Sequence, residues 1–155
     1  MRKLGLVGAL VLLAAACDSP TAPGDQGELS LSRTRWADHG SLSYSFEINR
    51  GCFCLMAGRR IRVTVSAGAV TAAQYLDSGG TVEPAFIAYL PTVPDLFDLV
   101  EDAITRQADV LSVSYDPYYG HPTRIQIDYS ANAADDEITL TVSGLLLSEG
   151  ERQTP

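Results

Sequence analysis

The sequence predicts an α+β domain: an antiparallel sheet of about six strands in αβββ-αβββ order, with the helices packed on one face. Six short segments alternate apolar and polar residues with period two, the pattern of strands that bury one face and wet the other. Val93, Leu96, Phe97, Val100, Ala103 and Ile104 fall at the spacing of one helical stripe. The order of one helix and three strands occurs twice, offset by about 60 to 65 residues. Arg60-Ile61-Arg62-Val63-Thr64-Val65 parallels Arg124-Ile125-Gln126-Ile127-Asp128-Tyr129 in pattern. This predicts an internal duplication, its halves related by a pseudo-twofold axis.

The elements follow in chain order. Ser30 to His39 reads as a short helix, capped by Ser30 or Ser32 and stopped by Gly40. Leu42, Tyr44, Phe46 and Ile48 mark the first strand, and Gly51 to Gly58 breaks it. Ile61, Val63 and Val65 mark the second. A Ser66-Ala67-Gly68 turn leads to the third, Ala69 to Tyr75. Asp77 to Pro91 is a connection punctuated by Gly and Pro. The second helix opens at Thr92, whose spacing to Asp95 is that of a capping box, with Pro94 tolerated in the first turn. Acidic residues crowd its opening half and Arg106 lies near its end, as the helix dipole favours. Leu111, Val113 and Tyr115, then Ile125, Ile127 and Tyr129, then Ile138, Leu140 and Val142 mark three more strands.

Ahead of this domain, Arg2 and Lys3 precede an uncharged apolar run, Leu4 to Ala16, that leads into Cys17. Its 13 residues fall short of the ~20 that cross a bilayer but suit the core of a secretion signal. Leu13-Ala14-Ala15-Ala16-Cys17 resembles the lipobox of bacterial lipoproteins, which implies cleavage before Cys17 and its lipidation. The expected organisation is a signal peptide over 1–16, a lipidated Cys and flexible tether over 17–28, one domain over 29–146, and a frayed tail over 147–155. A tether of that length spans roughly 20 Å. Losing 16 of the 155 residues leaves 139, with nine Arg, no Lys and nineteen Asp plus Glu, a formal charge of −10. That balance excludes a nucleic-acid partner, which requires clustered cations, and it excludes docking on anionic headgroups through protein charge. Membrane attachment is expected through the N-terminal acyl chains, on the outer side of a cell membrane or on an outer membrane.

With Cys17 lipidated, Cys52 and Cys54 remain as an even pair. In extended backbone their Cα atoms would stand near 7 Å apart, the limit for a disulfide, so joining them requires a turn. The pair reads as a local crosslink or as two half-buried thiols, with a redox role as the sharper alternative. Tyr115, Asp116, Tyr118, Tyr119 and His121 concentrate in the connection between two strands. Rigid tyrosines on such a loop make a recognition surface; the plainer reading has Asp116-Pro117 and Gly120 form the turn while the rings cover the rim of the core. Trp36 reads as a core anchor, and Asp135-Asp136-Glu137 as a solvated hairpin tip. No metal-ligand cluster, nucleotide-binding loop or nucleophile elbow occurs in the chain. No cofactor is expected.

Trp36, Tyr44-Ser45-Phe46, Cys52-Phe53-Cys54, Thr92-Val93-Pro94-Asp95-Leu96-Phe97 and the stretch from Tyr115-Asp116 through Tyr119-Gly120-His121-Pro122 to Ile125 and Asp128 together resemble a bacterial lipoprotein family carrying a domain of unknown function. The resemblance covers roughly residues 33 to 143 and implies location and domain extent, but no reaction. The function expected is therefore that of a lipid-anchored, extracytoplasmic, non-enzymatic module with an envelope protein as its partner. The alternatives are a thiol-disulfide participant using Cys52 and Cys54, and an inhibitor or assembly factor presenting the 116–122 loop.

Overall fold

A computed structural model describes residues 23–52, 54–133 and 136–148. The signal segment 1–16, Cys17, residues 18–22 of the tether, and 149–155 of the tail lie outside the described residues. Nine elements follow one another: α1 Pro23–His39, β1 Tyr44–Gly51, β2 Arg60–Ser66, β3 Ala69–Tyr75, α2 Pro84–Ile87, α3 Val93–Thr105, β4 Val110–Tyr115, β5 Pro122–Asp128 and β6 Glu137–Leu147. The strands form one sheet in the order β3-β2-β1-β6-β5-β4, and every neighbouring pair is antiparallel.

The alternation decides which face is buried. Tyr44, Phe46 and Ile48 on β1, Ile61, Val63 and Val65 on β2, Ile125 and Ile127 on β5, and Leu140 and Val142 on β6 all enter the core. Helices cover that face. Trp36 of α1 meets Tyr44 edge to face at 5.2 Å, and the Tyr44 hydroxyl accepts the Val93 N–H at the head of α3 at 2.8 Å. Burial of that tyrosine pushes its pKa up to about 12, so it stays neutral. The other face carries Glu47 between Arg60 and Arg62, at 3.1 and 2.7 Å, a solvated cluster of modest stabilising value.

α3 conforms closely to its sequence pattern. Thr92 and Asp95 form a reciprocal capping box, and Val93, Leu96, Phe97, Val100 and Ala103 are buried. Two expectations need correction. The first helix begins at Pro23 rather than Ser30, so positions 23–28 are helical rather than tether. Its buried stripe of Leu29, Ser32 and Trp36 faces the core, Trp36 against Tyr44, with Arg33 tying the helix to α3, and the preceding turn continues the same backbone. A short helix, α2, also interrupts the connection between β3 and α3.

A third expectation, the internal duplication, is not confirmed. A twofold that carried the first half onto the second would place β1 on β4. Instead β1 is central and paired with β6, whereas β4 is an edge strand. Each half is a sequential meander, β3-β2-β1 and β6-β5-β4, but a twofold normal to the sheet between β1 and β6 would exchange β1 with β6 and β3 with β4 rather than relate the strands in serial order. Gly144, at φ +60°, forms the bulge that fits β6 beside Glu47.

Candidate functional site

A groove opens at the end of the helix-covered face, where β1 and β6 run out beyond α3. Period two places Arg50 on the same face as Tyr44, Phe46 and Ile48, so the apolar side of β1 ends in a guanidinium. Two cavities of about 310 and 370 Å³ share Arg50, Leu99 and Leu140 as walls. Arg50 therefore lines both, and the two cavities adjoin along its side chain. The first cavity continues along the 88–91 turn and the flank of α3. The second runs past Cys52 and Cys54 to Tyr129, Asp136, Glu137 and Ile138.

Arg50 is half-buried. One Nη donates to the Tyr89 carbonyl at 3.0 Å, whereas its Nε is buried without a hydrogen-bond partner. Burial lowers its pKa, yet an arginine retains its charge. Among the described residues no carboxylate lies within ion-pairing distance of it, while Arg33, Arg59, Arg60, Arg62 and Arg106 each have one. Across the groove, Oδ1 of Asp136 is likewise buried without a donor. Tyr129 closes one side, its hydroxyl donating to Asp102 at 2.7 Å and its ring lying 4.0 Å beneath the Arg106 guanidinium. Burial, then the bond to Asp102, pushes its pKa up to about 12.

Cys52 and Cys54 are joined as a disulfide, with Cα atoms 5.3 Å apart. Beyond the crosslink, Met56 and Gly58 adopt positive φ, and the Gly58 N–H closes back on the Arg50 carbonyl at 2.7 Å. The crosslinked loop thus starts from Arg50 and forms a wall of its groove.

The aromatic loop lies elsewhere, beneath α1. Oδ1 of Asp116 accepts the Tyr118 and Tyr119 N–H groups at 2.9 and 2.7 Å. The Asp116 N–H donates to the His121 carbonyl, and the Gly120 N–H to the Asp116 carbonyl, both at 2.9 Å. Gly120, at φ +79°, lies so close to α1 that a Cβ there would collide with the Ser32 carbonyl and stand 2.7 Å from Arg35 Cβ. Rings then run inward from the surface. His39 stacks on Tyr118 at 4.6 Å, Tyr118 meets Tyr119 at 4.9 Å, and His121 lies 6.3 Å from both Tyr119 and Trp36. His121 is buried, which lowers its pKa, and Asp116 opposes that shift in part. Tyr115 is half-buried against Phe97, and burial takes its pKa to about 12. Only Tyr118, 61% exposed, offers its ring to solvent. The plainer reading of this loop thus describes its geometry.

Arg50 and the inward-facing Asp136 are the groups that sequence reading missed. The available signal was parity: Arg50, two residues past Ile48, extends the apolar series of β1 with a charge. Among the described residues, no three His, Cys, Asp or Glu side chains gather as metal ligands. The groove combines a donor, an acceptor and aliphatic walls, a set suited to recognising a small polar group on an apolar body.

No curated protein and no solved structure matches the chain. Residues 28–146 match the family of unknown function DUF6174, and because that span exceeds half of the 155 residues, the chain belongs to this family.

Proposed function

We propose that this protein is a lipid-anchored extracytoplasmic binding module that recognises its partner without catalysing a reaction on it. The address rests on the positive head, the short apolar run and the small residues before Cys17. Acyl chains on Cys17 hold the chain to a bacterial membrane, and an envelope component is its partner. The observation that carries the binding reading is the half-buried Arg50, which lines the groove with no carboxylate in ion-pairing distance among the described residues and with a buried Nε that has no partner. Holding a half-buried cation away from a counter-charge is unfavourable, and a bound anionic group offsets that.

Fractionation of cells expressing the native chain and a Cys17→Ala variant tests the address. The native chain is expected in the membrane fraction with a mass increment of acyl groups, and the variant uncleaved and without that increment. Equal masses for the two mature chains would end this reading. The disulfide on the groove wall keeps a thiol-exchange role as a second reading. Resistance of Cys52–Cys54 to a glutathione buffer in the same preparation would remove it. Presentation of the 116–122 loop to a target is the weaker reading, since Gly120 and His121 pack against α1 and Tyr118 itself stacks on His39.

A further inference from the structure

We propose that the Arg50 groove receives a carboxylate attached to an apolar body that also carries an N–H donor, the chemistry of an apolar residue at a peptide C-terminus or of the free amino acid. This rests on the groove being a binding site, as proposed above, and adds the class of its ligand.

Four features of the site select that class. With one Nη engaged by the Tyr89 carbonyl, the free Nε edge of Arg50 points to a planar two-oxygen acceptor, which guanidinium binds in bidentate fashion. The charge balance disfavours a dianion. One cation faces the groove, whereas Asp136 and Glu137 line the same cavity in a chain of formal charge −8. Each negative charge on the ligand meets those carboxylates, so a phosphate dianion is repelled more strongly than a carboxylate whose own N–H or ammonium faces Asp136. Asp136 Oδ1, buried without a donor, calls for an N–H on the ligand, as a peptide amide or an ammonium supplies. Finally, Leu99, Ile138 and Leu140 provide aliphatic walls for a side chain. A volume of about 370 Å³ lies in the range of small-ligand pockets, roughly 300–1,000 Å³.

The test uses the native lipidated chain in phosphatidylcholine nanodiscs and fluorescence anisotropy of an N-terminally labelled Ser-Gly-Ala-Leu peptide, compared as free acid and as C-terminal amide. The acid is expected to bind at least about tenfold more tightly than the amide. Arg50→Gln should erase that difference, and Arg50→Lys should retain part of it, each with an unchanged far-UV circular dichroism spectrum. Unlabelled leucine that displaces the peptide at comparable concentration identifies the free amino acid as the source, whereas failure to displace identifies the peptide terminus. Equal affinity of acid and amide overturns the carboxylate inference while leaving the groove as a site. Binding unaltered by a groove-filling Leu99→Trp change overturns the groove reading as well. No binding of the acid up to about 1 mM overturns the proposal outright.

Discussion

Gly120 shows how one residue seats a whole loop. Its positive φ and its approach to the Ser32 backbone leave no room for a side chain, so Gly120→Ala combines left-handed strain with a clash that α1 must move to relieve. A loss of about 2–4 kcal/mol is expected, read as a lowered urea midpoint. His121, two residues further into the core from Tyr119, makes stability depend on pH. Burial holds its folded pKa below the ordinary 6.5, so the unfolded chain takes up the proton first. Stability therefore falls as pH drops from about 6.5 towards the folded value, by at most ~1.4 kcal/mol per pH unit. Glu47, bonded to Arg62 and Arg60, and Asp77, bonded to Arg59, are held low. Their contribution is lost only below their ordinary values of 4.5 and 3.8, leaving the window from pH 6.5 to 5 to histidine. Urea unfolding at pH 7.5, 6.5 and 5.5 should show the slope in the native chain and a much smaller one in His121→Leu.

At the scale of elements, α3 was the most legible because its signals are local. Thr92, Asp95 and the apolar stripe fall within four turns of one backbone, and each has the role its spacing implies. Thr92→Ala removes the side chain that accepts the Asp95 N–H and should cost about 1 kcal/mol, measurable by thermal unfolding. The strands were nearly as readable, since period two identifies the buried side without reference to neighbours. Their ends were less so. Leu42 looks like the first inward residue of β1, yet it is 39% exposed and precedes the strand. Arg50 continues the inward series past the last aliphatic residue. α1 was legible only in its second half, because Gly24, Asp25 and Gly27 carry turn-like propensities that docking of Leu29 and Trp36 overrides.

For the whole molecule, pairing of the first strand with the last determines both the symmetry and the groove. Strand order 3-2-1-6-5-4 brings Arg50 of β1 opposite Leu140 of β6. These residues lie 90 positions apart and no local pattern relates them. The same order leaves unconfirmed the duplication that the repeated helix-and-strand pattern suggested. Among the described residues no helix is long and apolar enough to cross a membrane, and the Cys17→Ala fractionation decides whether acyl chains supply the attachment.

By itself, the sequence determined the α+β class, the buried face of each strand, the extent and cap of α3 and the turn chemistry around Asp116, because each depends on residues within a few positions of one another. Tertiary structure alone decided which strands are neighbours, which side of α1 docks, that the aromatic loop is sealed beneath that helix, and that Arg50 and Asp136 face one cavity. Those outcomes depend on burying apolar surface between segments far apart in the chain, and such pairings leave no period in the sequence.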